Sequence, residues 1–581
     1  MGKRFSFFKL SLVAVMAATT LYGCTKSKDE GQNASPSASP SGTAAASVSA
    51  SGSPAPAKKE LYTIKVLQDQ KMNVKTSDET EVGKYIKDKF GIVFEFIPFS
   101  GDYVAQTSTM LAGNDYPELL RLQRNVTFQN YLNAGALLPL DPYLKSVSEF
   151  NTAYKDLIPY WRMLSPDNKL YKWEYRVPTE LGDTWDILVR TDALEKQGWP
   201  KIVSEDDYVN FLKKALADQP QTNGKKTLGL VAPFGESWGS ALAALMYDKG
   251  GDYVWAATNT ALFNTKTEQY ESYIKNTYVK QSYQFFNRLY REGLLDKDSF
   301  TDKMDNVTEK VKSGQALAAW YVGWLAGEVN AAFEKSGNIN QEYVHLSIRL
   351  NSQVKNNEKR LIKVETTRDF DTMVITKKAK YPERIMELVN WAASGEGQTI
   401  LQSGMEGKHY TISGGKRVPT DELKKIWADP DNKSGIGSAF AFLGQNRSRD
   451  KNGQYYDLRN DPDVKDSMVL TQRMRDAFQK MGYKNSSGPW ELGSTNVVYP
   501  LGLTNSTAID PQSDLGPLQE KMVELLTRSS SKLILAKDDA DFENVYKSVV
   551  AEYDKLQSDK VVDEFNRLYK ESKAKLDAAK K

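Results

Sequence analysis

A single cysteine in 581 residues, Cys24, leaves this chain no disulfide framework with which to hold a fold. Stability must come from buried apolar surface, which a chain of this length can supply. Lys plus Arg total 77 and Asp plus Glu 74, for a net charge of +3. That near balance, with no dense basic tract, argues against a nucleic-acid partner. One cysteine and two distant histidines, His345 and His409, offer no zinc or thiol chemistry, so no metal and no cofactor is expected. No phosphate-cradling Walker pattern occurs. The compositional excess is aromatic, with 30 Tyr, 22 Phe and 11 Trp. Many of these rings must fill cores, and a minority at loop or helix starts can line a binding cleft.

The first residues read as a secretion signal. Lys3, Arg4 and Lys9 precede an uncharged, mostly apolar run of 12 residues, Leu10 to Leu21. A helix that crosses a bilayer core needs about 20 residues, so this run is a signal core and not a stable anchor. Leu21-Tyr22-Gly23-Cys24 resembles a bacterial lipobox, in which the cysteine is lipidated and becomes the mature N-terminus. Tyr22 departs from that pattern, where a small residue is usual. Residues 25–59 are low in complexity and mostly Ser, Ala, Pro and Gly, with no charge from Gly31 to Ala57. Such a composition cannot bury enough surface to offset its ordering entropy. As a flexible coil it reaches about 30 Å. The expected layout is a signal peptide over 1–23 and a lipid anchor with linker over 24–60.

From Leu61 onward, strand and helix patterns alternate. Tyr62–Leu67 and Ile92–Ile97 read as strands, Asp78–Phe90 and Tyr103–Ala112 as helices, and Leu119–Leu122 as a short third strand. Further strands are expected at Tyr171–Val177, Asp186–Arg190, Tyr343–Leu350, Leu361–Glu365 and Asp371–Thr376. Helices are expected at Ser204–Ala217, Lys275–Glu292 and Pro382–Ala393, and over most of 470–581. This order implies an α/β fold with parallel, doubly wound sheets.

The order of motifs then resembles one family, the carbohydrate-type extracellular solute-binding lipoproteins of bacterial ABC importers. Ala112-Gly-Asn-Asp-Tyr-Pro117 is similar to an early family turn, and Leu138-Pro-Leu-Asp-Pro-Tyr-Leu144 follows. Ile187–Leu194 with Gly198-Trp-Pro200, Leu289-Tyr-Arg-Glu-Gly-Leu-Leu-Asp296, Glu396-Gly397 and Gly404–Tyr410 continue it in register. The resemblance implies a two-lobed, periplasmic-binding-protein-like fold whose strands cross at a hinge. It places one lobe at 61–180 plus about 361–430, and the other at about 181–360 plus 431–581. It implies capture of a sugar or oligosaccharide, delivery to an ABC permease and no catalysis. The chain is then expected as a monomer, tied by lipid to the extracellular face of the membrane. The rivals are a tethered carbohydrate-active hydrolase and a sugar sensor coupled to a membrane kinase.

Sugars need aromatic faces for their C–H surfaces and planar polar groups for their hydroxyls. Trp320 and Trp324 are candidates because the family places a stacking aromatic there; packing beneath a helix is the rival role. Asp183 and Trp185 precede a lobe-crossing strand, against the rival of a turn acid and a core ring. Arg124 and Asn125 follow the third strand and Asp69 the first, at the carboxyl ends where open α/β sheets bind ligands. Arg368 and Asp369 lie between two strands near the second crossing, against the rival of a surface ion pair. Trp238 and Trp490 are weaker candidates. Gly235-Glu-Ser-Trp-Gly239 matches a hydrolase nucleophile elbow, but a helix cap at Ser237 is the simpler account. Asp218–Thr227 resembles a calcium loop without its closing acidic pair. Asp450–Gln454 reads as a hairpin turn.

Overall fold

The computed structural model describes residues 60–580 except 69–72, 100–101, 124, 175, 178–184, 237, 251, 256–259, 359–360, 366–371, 430–432, 438, 447–448, 469, 491–494, 500–502 and 504–506. Two sheets organise it. In the first, Tyr62–Leu67 runs parallel to Ile92–Phe96 on one side and to Leu119–Leu122 on the other. Thr372–Ile375 then joins antiparallel to Leu119–Leu122, and Trp173–Glu174 closes the five-stranded order. The second sheet has four strands, in the order Tyr343–Leu346, Trp185–Arg190, Ala316–Val322, Leu228–Val231.

Local chemistry explains the elements between them. In the first helix, Glu81–Phe90, the Thr80 hydroxyl accepts from the Gly83 amide and Gly91 ends the helix at φ 64. Val82, Ile86 and Phe90 put one buried stripe on the sheet. The helix expected from Asp78 starts later because Ser77–Glu79 forms a separate 3₁₀ turn. The long helix Thr277–Arg291 opens on Asn276, whose side chain accepts from the amides of Tyr278 and Val279.

The expectation of wholly parallel sheets is corrected: both are mixed. The antiparallel members are Trp185–Arg190 and Thr372–Ile375. Each is the first sheet strand after the chain passes from one sheet to the other. A strand that arrives at the carboxyl edge of its neighbours must run back against them. The expected strand Tyr171–Val177 divides, its first part in the sheet and Arg176–Val177 paired with Gln445–Asn446. A second small parallel ladder joins Leu361–Glu365 to Thr495–Tyr499.

The cores fall into two lobes. Ile64, Val66, Phe94, Leu119 and Trp173 share a core with Met373 and Trp391. Ile187, Val189, Leu230, Phe286, Leu317 and Trp320 form another. Ile436, Phe440, Phe442 and Leu458 belong to the first core, within a stretch expected to join the other lobe. From Met474 onward the buried chain joins the second core.

Three helices close the chain: Gly516–Ile534, Asp539–Lys555 and Ser558–Ala579. The last buries Val561, Phe565, Tyr569 and Leu576 at spacings of four, four and seven, one face of a helix. Phe565 stacks on Tyr270 at 5.2 Å in the second lobe. The same helix meets Ile158–Met163 of the first lobe, whose Tyr160 and Met163 pack against the second core.

Candidate ligand-binding site

Trp185 opens its strand, and Val322 ends the antiparallel neighbour directly opposite. Trp324 follows Val322 by two residues, and Trp238 follows the parallel strand Leu228–Val231. One edge of the second sheet therefore gathers Trp185, Trp238, Tyr321 and Trp324. It is the carboxyl edge of the parallel strands, where open sheets bind ligands. Trp185 lies 5.9 Å from Trp238 and 5.2 Å from Tyr321 between ring centroids. Tyr321 lies 6.3 Å from Trp238 and meets Trp324 edge-on at 5.3 Å.

This is a continuous aromatic platform, and its outer rings are open. Trp238 is 37% and Trp324 51% exposed, whereas Tyr321 is 6% exposed and supports them. Large indoles left this open cost hydration free energy unless something covers them. Gly323 is the joint that makes the turn into the helix Trp324–Ser336. A Cβ there would come within 2.5 Å of the His345 Nδ1. Trp490 packs against that imidazole, 4.5 Å between centroids.

Beneath the platform lies a buried ion pair. Lys249 Nζ is 3.0 Å from the Asp186 carboxylate, and both side chains are fully enclosed. Tyr483 nearby is pushed up to about 12 by burial, with the negative Asp186 adding to the shift. Burial likewise raises Tyr208 well above its ordinary value, again with Asp186 contributing. Both phenols stay neutral.

The first lobe presents the matching edge of its own sheet. Lys172 and Glu174 pair there at 3.4 Å, both buried, and Lys172 Nζ also donates to the Thr372 hydroxyl at 3.3 Å. Gln68, just after the first strand, donates to the Ala439 carbonyl at 3.3 Å. Gln123 is half-buried after the third strand.

The structure separates the expected site residues. Trp324 and Trp185 come together in the platform. Trp320 is corrected: it is fully buried, donates from Nε1 to the Leu242 carbonyl at 3.0 Å and meets Phe286 edge-on at 5.3 Å. It holds up the sheet from the opposite face and presents no surface to a ligand. Asn125 begins the helix Asn125–Asn133. Asp69, Arg124, Asp183, Arg368 and Asp369 lie outside the described residues, as does Cys24. Tyr321 and Trp238 complete the platform; the all-apolar strand of Tyr321 gives no polarity pattern to say which ring faces where, and Trp238 lies in the segment that follows its strand.

The other motifs resolve into packing. In the elbow-like segment, a Cβ at Gly235 would lie 2.5 Å from Thr301 backbone atoms, and one at Gly239 2.3 Å from the Pro233 carbonyl. Close backbone approach therefore accounts for both glycines; Ser237 lies outside the described residues. His409 is fully buried, and its Nδ1 accepts from the Met405 amide at 2.9 Å. The calcium-like segment is a hairpin: Gln221–Thr222 pairs with Lys225–Lys226 through Asn223 and Gly224, both at positive φ. Asp450–Gln454 is the expected turn, closed by the Asp450 amide on the Gln454 carbonyl at 2.7 Å. A crevice of about 380 Å³ lies elsewhere on the second lobe, between Phe285, Arg288, Arg291 and Phe542. Its guanidiniums are already engaged, Arg288 with Asp206 and Arg291 with Asp539.

The profile of bacterial extracellular solute-binding proteins matches residues 76–399. The chain belongs to that family, and it is an α/β protein of the two-lobed, periplasmic-binding-protein-like class. It is 23% identical over 365 residues to lipoprotein LipO of Bacillus subtilis strain 168, covering 61% of this chain and 68% of LipO. Its fold is similar to an HMO-binding, ABC-transporter-associated solute-binding protein from Bifidobacterium longum infantis. That match has a TM-score of 0.59 and 14% identity, over 88% of this chain and 99% of the other. It is also similar to the ABC-transporter substrate-binding protein FusA of S. pneumoniae, solved with kestose. There the TM-score is 0.54 and the identity 15%, over 88% of this chain and all of FusA, 100%.

Proposed function

We propose that this solute-binding protein captures a sugar or oligosaccharide between its lobes and hands it to the permease of an ABC importer. The observation that carries the reading is the open pair Trp238 and Trp324, backed by Tyr321 and Trp185. Ring faces accept the C–H surface of a pyranose, and their quadrupole favours that contact over a polar one. The names of the fold neighbours, one for HMO binding and one for a kestose complex, support the same class. The protein itself catalyses no reaction. It acts as a monomer held by lipid, palmitate included, on Cys24 at the outer face of the membrane; the lipoprotein name of LipO supports the anchor.

Ligand and lobes are linked by a population shift. The closed form is favoured only by the ligand's greater affinity for it, and the permease reads that form. A thermal-shift screen over mono- and oligosaccharides tests the reading. At least one saccharide raises the melting temperature and is recovered uncleaved. No shift with any saccharide overturns the sugar assignment, and released products overturn the binding-only role.

A further inference from the structure

We infer that Lys249 is a positioning residue for the aromatic platform, an inference that rests on the platform being the ligand site. Its ammonium is fully buried, donates to the Trp185 carbonyl and sits 3.0 Å from the Asp186 carboxylate. Asp248 lies 3.5 Å away and the Trp320 ring 5.9 Å. The other oxygen of Asp186 accepts from the Ile348 amide at 3.0 Å. One cation thus ties three segments that end at the same sheet edge: the start of the Trp185 strand, the chain beyond Tyr343–Leu346, and the turn Leu245–Lys249.

A fully buried ion pair is a poor device for stability alone, because desolvation cancels much of its attraction and an apolar pair of the same volume serves as well. What the pair adds is direction. Fixed on the Asp186 carboxylate, the ammonium turns another of its donors onto the Trp185 carbonyl, so that backbone is held where an apolar contact would let it slide. Trp185 touches the open ring of Trp238 and the buried Tyr321 that supports Trp324, so its placement sets both open rings. Lys249 acts through Trp185 and touches no ligand itself.

Stability and position can be separated by two variants of the full chain. Asp186→Asn keeps an acceptor for the Ile348 amide and leaves Lys249 donating to the Trp185 carbonyl. Lys249→Met/Asp186→Asn removes both charges together and with them that donor. The readouts are the melting temperature and the far-ultraviolet exciton couplet of the Trp185–Trp238 pair, whose rings are 5.9 Å apart at 51°. The couplet is assigned by its loss in Trp185→Phe. Asp186→Asn lowers the melting temperature and keeps the couplet. The double variant recovers the melting temperature to within about 3 °C of the parent, yet its couplet stays about half or less.

If couplet and melting temperature move together in both variants, Lys249 is a structural residue only and the inference falls. Should the double variant fail to fold, Asp186→Asn alone decides, since a structural role loses the couplet there too. Neither readout needs a ligand. A saccharide screen that finds nothing therefore overturns the sugar reading while leaving the test of Lys249 standing.

Discussion

Trp320 and Tyr321 are adjacent in one strand and serve opposite faces of one sheet. The Trp320 indole donates to the Leu242 carbonyl at 3.0 Å in one core, while the Tyr321 ring supports Trp324 at 5.3 Å on the other side. Side chains alternate along a strand, so only one of the two can join the platform.

That alternation separates binding from stability. Trp324→Ala and Trp238→Ala remove exposed rings, so their melting temperatures stay close to the parent while saccharide affinity falls about tenfold or more, roughly the worth of a lost ring contact. Trp320→Ala instead costs about 3–5 kcal/mol of stability, as emptying a buried tryptophan site does. Titration calorimetry and chemical denaturation on the three variants check both halves.

Two glycines near the platform respond with opposite sign. At Gly323 an added Cβ meets the His345 ring at 2.5 Å, whereas at Gly327 nothing lies within 4 Å. Gly323→Ala is expected to destabilise by about 1–3 kcal/mol through overpacking. Gly327→Ala, inside the helix Trp324–Ser336, is expected to stabilise by about 0.5–1 kcal/mol. Urea midpoints of the pair decide, and equal shifts would contradict the packing seen at Gly323.

Two buried groups set the limits of a pH optimum. Burial holds His409 below its ordinary 6.5, so the unfolded chain takes up that proton first on acidification. Stability is therefore lost as pH falls from about 6.5 through the lower folded value. Burial raises Glu342 above its ordinary 4.5, so its favourable contribution is complete below that value and is lost as pH rises through the folded one. Glu342→Gln, which can still accept from the Thr471 hydroxyl, is expected to be more stable than the parent at pH 8, with no gain at pH 4. Melting temperatures across that range check both signs.

The C-terminal helix Ser558–Ala579 couples the lobes. Tyr160 and Met163 of the first lobe pack against the second core, and Lys580 Nζ lies 6.0 Å from the Tyr160 ring. Tyr160→Ala/Met163→Ala should cost about 1–2 kcal/mol per half-buried side chain. Calorimetry is expected to show one transition in the parent splitting into two as the lobes come apart. A single, unshifted transition would contradict the coupling.

Much of the element order was legible because its signals are local. Thr80 before a helix, Gly91 after it and the stripe Val82, Ile86 and Phe90 act within a few residues of chain. The family motifs likewise located the chain's class. The sequence by itself determined the alternation of strands and helices and, with its single cysteine, the reliance on core burial. Tertiary structure alone decided which ring of the pair Trp320-Tyr321 faces the platform, because every residue of that strand is buried and no polarity pattern marks a face. It alone reversed the strands that enter each sheet from the other lobe, placed Ile436, Phe440, Phe442 and Leu458 in the first core, and brought Lys249 under Trp185 from 64 residues away. Those outcomes depend on contacts between segments distant in the chain, and no local pattern encodes them.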